Sequence, residues 1–577
     1  MSSEHSIQEI VKKIVLKNAV EYGGNAKYDV VISKVVGLRP DLRPKIRDLI
    51  PLIKKIVDQV NTLEVTEQKK MASELLALHQ EEQPTKHKEL PSLPALEGAN
   101  IGEVVTRFPP EPNGFPHIGH AKAAIIDQEY ARMYKGKLIL RFDDTNPLNE
   151  RLEYYDAIKV GLEWLGIEPD VIKNTSDDIE ILHTYGKKMV VNGASYVCTC
   201  KSEDIHLMRA KGVACMCRTK DSELRENLEK FFNGSFYQNE AIIRFRGDMS
   251  NPNTAMRDPT LFRIIDANHP KLGTRTKVFP TYDFAAPVED SLDGVTHAMR
   301  TKEYELRNEL YYAVLKSLNL REPILSEFSR LEFEGLPVSK RKLKPLVEAG
   351  LVRGWDDPRL PTLAALKKRG IMPEAIRKFI LSLGITLADT KPPFESLESY
   401  NRKLLDKISL RLFFIKHPVE VKVINPVLGQ IKLKNHPTAD LGTRNVSISD
   451  SLYIDQADAD RLNPGQEIRL MELYNIRIEE VIRENGKCHL EVTNTGPEIK
   501  THIPKVQWVS KNDMVPFNVV VPDKLFINDE YNKDSLHTYN GIAESFVSKI
   551  PIGTHVQFVR FGFCRLDANG VAIYTHD

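Results

Sequence analysis

Residues 107–122 read Arg-Phe-Pro-Pro-Glu-Pro-Asn-Gly-Phe-Pro-His-Ile-Gly-His-Ala-Lys. Glu103-Val104-Val105-Thr106 before them is a short apolar strand candidate. A helical run from about Gly119 to Tyr134, closed by Gly136, follows. The stretch therefore reads as strand, stiff turn, helix. Pro109, Pro110 and Pro112 cannot continue a central strand. Gly114 and Gly119 let the backbone approach something bulky. The helix N-terminus presents unpaired N–H groups and a partial positive charge, a site suited to phosphate. His117 and His120 stand three apart at that helix start, where both can donate hydrogen bonds to phosphate oxygens.

Two other stretches follow in order. Residues 138–147 read Leu-Ile-Leu-Arg-Phe-Asp-Asp-Thr-Asn-Pro, and Val338-Ser339-Lys340-Arg341-Lys342 lies far downstream in a loop leading to a helix. Together the three resemble the class I aminoacyl-tRNA synthetases of the glutamyl/glutaminyl branch, from about Thr106 to the C-terminus. Val338 stands where that family more often has Met, a departure at an apolar position.

The totals restrict the alternatives. The chain has 577 residues, enough for several domains, and a net charge of +1, so a nucleic acid would have to be met by local basic patches. No apolar run approaches the roughly 18–20 residues of a membrane span. The polar start Met1-Ser-Ser-Glu-His lacks a signal-peptide core. Six cysteines in a chain this long do not suggest a secreted disulfide scaffold, and a reducing cytoplasm fits best.

Texture divides the chain. Residues 1–95 form an N-terminal helical appendage and linker. Ile7, Ile10, Val11, Ile14 and Val15 share one helix face; Ile46, Leu49, Ile50, Ile53, Val57 and Val60 share another, with Pro51 as a boundary or kink; Met71, Leu75 and Leu78 suggest a third. Short strands alternating with helices over 96–200 and 276–330 predict the two halves of a doubly wound, Rossmann-type parallel sheet, whose ligand sits beyond the strands' carboxyl ends. Arg107 and Asp143 both fall at such ends. Residues 289–300 read as a loop entering a strand, and Tyr304–Leu320 as a helix. Residues 201–275 interrupt the alternation, and the resemblance makes them the insertion that grips the acceptor end of tRNA. Residues 331–409 carry the second signature and a helical subdomain. From 410 to 577 many short strands between turns predict two antiparallel β-barrels. The resemblance implies that these read the anticodon, as in glutaminyl and archaeal/eukaryotic glutamyl enzymes; Asn435-His-Pro and Gln507-Trp508-Val-Ser510 carry the likeness. Trp508 fits a core better than a base-stacking surface.

The resemblance implies a two-step reaction. An amino acid carboxylate attacks the α-phosphorus of ATP, and a terminal ribose hydroxyl of tRNA then takes the aminoacyl group. Positioning and charge stabilisation supply most of such a rate. By resemblance, His117, His120 and Lys340 are catalytic. Pro110, Glu111, His117, Gly119, His120, Ser339, Lys340 and Arg341 line the ATP site. Magnesium enters with ATP, held largely by phosphate and water. Arg107, Asp143, Tyr282 and Arg300 surround the amino acid, Asp143 suiting its α-ammonium. A buried guanidinium facing a neutral amide would lack its counter-charge, so Arg300 argues for glutamate over glutamine unless Glu289 or Asp290 pairs with it. A glutaminyl enzyme and a catalytically silent tRNA-binding relative are the alternatives. Which of Arg107 and Arg300 takes the side-chain carboxylate stays open, as do the charging of tRNA(Gln) besides tRNA(Glu) and a protein partner for residues 1–95.

Cys198-Thr-Cys200 and Cys215-Met-Cys217 place four cysteines within twenty positions. Two such pairs can supply a tetrahedral thiolate site for a structural zinc; four unliganded thiols are the other reading.

Overall fold

The computed structural model describes residues 11–12, 14–16, 18–20, 24–38, 46–68, 71, 93–219, 224–389, 391–484 and 487–577. The chain divides into two compact units, Met1–Glu89 and Leu90–Asp577. Among the described residues no helix is long and apolar enough to cross a membrane.

The first unit contains helices α1 (Tyr28–Leu38) and α2 (Ile46–Asn61). Val11, Val15, Val31, Val35, Ile53, Val57 and Val60 build its core. Asn61 fastens the loop before α1, accepting from Ala26 N at 2.7 Å and donating to Ala26 O at 3.1 Å. The sequence did not announce α1: Val30, Val31, Ile32 and Val35 are β-branched, and the packing of Val31 and Val35 into the core outweighs that propensity. Pro51 marks no boundary. It lies inside α2, near enough to the start that few backbone bonds are forfeited. Ile7, Ile10, Leu75 and Leu78 lie outside the described residues.

The second unit opens with the expected strand, turn and helix, shifted slightly along the chain. The strand is β1 (Val105–Phe108), so Arg107 is its penultimate residue, and the helix is α3 (Ile118–Met133). Gly136 is obligatory, because a Cβ there would meet Val104 O at 1.9 Å. β2 (Lys137–Phe142) lies parallel to β1 and, after α4 (Leu152–Trp164), to β3 (Val171–Asn174). Beyond α5 (Ile179–Val191), β4 (Ser195–Cys198) leaves this layer. It starts a four-stranded antiparallel sheet with β5 (Ile242–Phe245), β6 (Thr260–Ile264) and β7 (Val278–Pro280), while α6 (Ser202–Lys211) and α7 (Leu224–Phe232) lie between β4 and β5. The parallel pair β8 (His297–Thr301) and β9 (Ile324–Phe328) then flanks β1, with Thr296 N donating to Val105 O at 2.9 Å.

Residues 289–292 are not the loop their polarity suggests. They complete α8 (Tyr282–Leu292), which carries Pro287 in its second turn and buries Glu289 and Asp290. The next helix begins as a 3-10 turn over Lys302–Arg307 and becomes α9 (Asn308–Leu318) only afterwards. Following β9, α10 (Lys340–Glu348) and the helices Leu363–Arg369, Pro373–Leu383 and Phe394–Ile408 complete a helical region that shares one core with α3 and α4.

Two seven-stranded sheets with separate cores finish the chain. They are barrel-like but not purely antiparallel: Glu420–Ile424 pairs parallel with His489–Thr493, and Leu410–Leu412 with Val556–Phe558. The chain lays Leu410–Leu412 and Phe414–Ile415 in one sheet, builds the other from Pro418 to Ser510, and returns at Met514 to complete the first. Parallel pairing needs a long connection to bring the chain back in the same direction, and these separations supply it. Trp508 is a core residue, 1 % exposed, and its Nε1 donates to Met471 O.

From the two-stranded hairpin Gly429–Lys434 and Thr443–Ile448 to the sheet that holds Leu536–Glu544, Arg444 Nη2 donates to Glu544 Oε1 at 2.8 Å, and Phe413 N donates to the same oxygen at 2.7 Å. Both side chains are 2 % exposed. Glu544→Gln should therefore leave a buried, uncompensated guanidinium and lower stability by on the order of 3 kcal/mol. An unchanged urea midpoint by circular dichroism would contradict this.

Candidate active site

The His-Ile-Gly-His turn is locked by its own imidazoles. His117 is the N-cap of α3, and its Nδ1 accepts from Gly119 N at 3.1 Å. His120 Nδ1 accepts from His117 N at 3.2 Å, and the rings stand 4.0 Å apart. Burial, then the neighbouring His120 and Arg330, holds the pKa of His117 well below 6.5. Burial alone lowers His120 to about 4. Both rings are thus neutral at pH 7. With each Nδ1 committed as an acceptor, the single proton must sit on Nε2. Two Nε2–H donors at a helix N-terminus form a pair suited to phosphate oxygens.

The second signature reaches this turn. Lys340 Nζ donates to Asn113 O and lies 5.6 Å from the Tyr154 ring. Burial and then Lys344 lower its pKa. Ser339 caps α10 from an exposed position, and Arg341 is exposed in the first turn. The approach is enforced by backbone: Ile118 N donates to Pro361 O at 3.1 Å and Leu363 N to Pro116 O at 2.9 Å. Phe115 stacks on Trp355 at 5.4 Å. Pro110 O accepts from Asp143 N at 3.1 Å, joining this turn to the end of β2. Glu111 lies close to Lys340, Asp143 and Glu150; burial raises its pKa, and Asn113 opposes this.

The amino acid residues gather around a buried charge network. Asp290 Oδ1 accepts from Arg107 Nε at 3.0 Å and from Arg141 Nη2 at 2.8 Å, while Oδ2 accepts from Tyr311 OH at 2.9 Å. Arg107 also donates to Met299 O at 2.7 Å. Although burial opposes its charge, Asp290 raises its pKa overall. Arg141 reaches Asp143 at 3.0 Å and Asp293 at 2.9 Å. Asp143 accepts from Thr175 Oγ1 at 3.2 Å as well, and burial raises its pKa against the pull of Arg141. Lys173 occupies the carboxylate cluster next door, bonding Glu289 at 2.8 Å and Asp293 at 2.7 Å.

Arg300 stands apart from this network. It is 4 % exposed, and its Nη2 donates to Tyr304 O at 2.8 Å. Its Nε and Nη1 have no hydrogen-bond partner. No described carboxylate pairs with it: Asp290 is taken by Arg107 and Arg141, and Glu289 by Lys173. The guanidinium lies between the rings of Tyr304 and Tyr311, 5.4 and 5.3 Å away. Tyr282, at the start of α8, packs its ring at a tilt against Tyr304, 4.7 Å between centroids, and lies close to both Arg300 and Arg107. Asp143 is near enough to Tyr304 to raise its hydroxyl pKa, second to burial. Arg107, Asp143, Tyr282 and Arg300 therefore share one neighbourhood, but only Arg300 carries an unspent charge.

Sequence reading missed Arg141 and Tyr304, and it named Asp290 only as a possible partner of Arg300, whereas Arg107 and Arg141 hold it. Arg141 had a signal: a cation inside the apolar run 138–142 requires a buried counter-charge. Tyr304 had none.

The four cysteines converge away from this crevice. Their sulfurs all lie within 4.8 Å of one another, with Cys198 to Cys215 at 3.7 Å and Cys200 to Cys217 at 3.6 Å. All are free thiols. A tetrahedral zinc–thiolate site with ~2.3 Å bonds places its sulfurs ~3.8 Å apart, so the set fits. Arg244 Nη1 lies 3.6 and 3.9 Å from Cys215 and Cys198, where it can offset thiolate charge.

Comparison with known proteins adds independent findings. A family described as "tRNA synthetases class I (E and Q), catalytic domain" matches residues 103–407. Two described as anti-codon binding domains of the same synthetases match 409–527 and 505–567. A glutamate--tRNA ligase of Cenarchaeum symbiosum is 48 % identical over 98 % of this chain and 98 % of its own. One of Nitrosopumilus maritimus is 47 % identical over 99 % and 100 %; one of Pyrococcus abyssi is 38 % identical over 99 % and 100 %. The chain belongs to the class I tRNA synthetases of the E and Q family.

Proposed function

We propose that the protein ligates L-glutamate to the 3′ end of tRNA(Glu) through a glutamyl-adenylate, consuming ATP and releasing pyrophosphate and AMP. One observation carries the choice of amino acid. Arg300 is a buried guanidinium with two unpaired nitrogens and no described carboxylate partner. Leaving such a charge unmatched is costly, and a side-chain carboxylate from the substrate would match it. Arg107, already paired with Asp290, shapes the wall instead. Asp143 takes the α-ammonium, and Tyr282 with Tyr304 forms the aromatic side of the pocket.

In the first step the glutamate carboxylate oxygen attacks the α-phosphorus, and the bond to pyrophosphate breaks. His117 and His120 donate from Nε2 to phosphate oxygens, with Gly119 permitting close backbone approach. Pro110 and Glu111 line the same turn, and Ser339, Lys340 and Arg341 face the departing phosphates. Lys340 leaves Asn113 O to follow the pyrophosphate, its compact ammonium on a flexible arm suiting that task. Magnesium travels with the triphosphate. In the second step the ribose hydroxyl attacks the acyl carbon and AMP leaves.

The antiparallel sheet β4–β7, with its helices, takes the acceptor end of the tRNA, and the two terminal sheets read its anticodon. The resemblance and the family descriptions of 409–527 and 505–567 support that assignment. Cys198, Cys200, Cys215 and Cys217 hold zinc as a cross-link in the segment after β4; with four protein ligands it supplies no activated water. Free thiols throughout fit a reducing cytoplasm.

Lys340→Ala should lower ATP–pyrophosphate exchange, measured with tRNA present, by at least about 100-fold (about 2.7 kcal/mol of barrier) while leaving tRNA affinity intact; equal losses would assign Lys340 a structural role. Arg300→Cys should weaken glutamate use by about two orders of magnitude, and unchanged glutamate kinetics would remove the basis for choosing glutamate. Metal analysis should find one zinc per chain, lost in Cys215→Ser; a metal-free protein with full activity would reject the zinc site.

A further inference from the structure

His269 belongs to a tight loop between β6 and β7, closed by His269 N donating to Gly273 O at 3.0 Å and Gly273 N to His269 O at 2.8 Å. The ring is 2 % exposed and lies parallel to Phe279 at 5.7 Å. Its Nδ1 accepts from Lys271 N and Leu272 N, both at 3.1 Å, so Nε2 carries a proton. That Nε2 donates to Asp144 O at 2.9 Å and stands 3.2 Å from Glu150 Oε2. Glu150 Oε1 in turn accepts from Asn146 N at 2.6 Å.

Residues 143–151 are thus held from two sides. Towards the phosphate turn, Asp143 N donates to Pro110 O at 3.1 Å and Arg151 N to Pro112 O at 3.3 Å. From the antiparallel sheet, His269 holds the Asp144 carbonyl by a hydrogen bond, and its Nε2 lies beside the Glu150 carboxylate oxygen, which has no hydrogen-bond partner of its own. The Asp144 side chain is already saturated by Tyr155 OH, Ser176 N and Ser176 Oγ, each at 2.7 Å. A carboxylate has no proton to give the Asp144 carbonyl, so this side chain cannot replace the tie that His269 makes to the backbone. Asp143, one residue away, is fixed at its own side chain only by Arg141 and Thr175 and is 15 % exposed.

We propose that His269, acting with Glu150, is a positioning residue for amino acid binding: from the antiparallel sheet it fixes the loop that presents Asp143 to the substrate ammonium. This rests on the reading that Asp143 binds that ammonium. A carboxylate displaced by about 1 Å loses much of its value to a bound substrate, and neither His269 nor Glu150 needs to touch the substrate to cause this.

The test is aminoacylation at saturating ATP and tRNA, with glutamate varied. His269→Ala should raise the KM for glutamate at least tenfold, with kcat and the KM for ATP changed less than threefold. His269→Gln, whose amide N–H can reach where Nε2 stands, should recover most of the loss. Glu150→Ala should shift the same KM in the same direction, and it decides the matter if His269→Ala does not fold. Asp143→Asn is measured alongside. If it raises the KM while folded His269→Ala or Glu150→Ala does not, the positioning role is overturned and the Asp143 reading stands. If Asp143→Asn leaves the KM unchanged, the reading beneath the proposal fails instead. A His269→Gln variant no better than His269→Ala would also overturn the role.

Discussion

Asp290 accepts three buried hydrogen bonds at once, from Arg107 on β1, Arg141 on β2 and Tyr311 on α9. Arg107 and Arg141 stand 34 positions apart and Tyr311 lies 170 beyond Arg141, and Asp290 is the counter-charge that the two guanidiniums share. A cation in a parallel strand is unaffordable unless a neighbouring element delivers an anion to it. α8 makes that delivery, with Glu289 serving Lys173 from the preceding position. The sheet and α8 are therefore fixed against one another by charge as well as by packing, and the crevice at the strand ends keeps its shape.

This arrangement also explains why one guanidinium differs from its neighbours. Arg107 and Arg141 have their counter-charge inside the protein. Arg300, on the adjacent β8, has aromatic rings on its faces and one carbonyl. Aromatic faces stabilise a cation but accept no conventional hydrogen bond. The surroundings of Arg300 are therefore incomplete in charge, which agrees with the acidic substrate proposed above. At the phosphate end the economy is reversed. The imidazoles are kept neutral and tied by Nδ1, leaving directional donors where added cations would repel one another.

Much of this was legible in the residues. Proline, glycine and histidine spacing at 107–122 marked the turn, and Lys340 of the basic loop at 338–342 reaches it at Asn113 O. The positions of Arg107, Asp143, Tyr282 and Arg300 also converged. What could not be read was which charges pair. Glu289 and Asp290 resembled loop acids because they stand in a polar run, yet they close a helix that buries both. Helix α1 was hidden by its β-branched run. The parallel pairs in the terminal sheets depend on partners more than a hundred residues away in one case, beyond the reach of any local pattern.

That last feature bears on how the protein is made. Leu410 pairs with Val556, 146 positions later, while Pro418–Ser510 completes its own sheet in between. At roughly 5–20 residues per second, the early strand waits about 7–30 s on the ribosome for its neighbour to emerge. During that interval Leu410, Leu412 and Phe414 are exposed apolar edge, open to chaperones and to strands of neighbouring nascent chains.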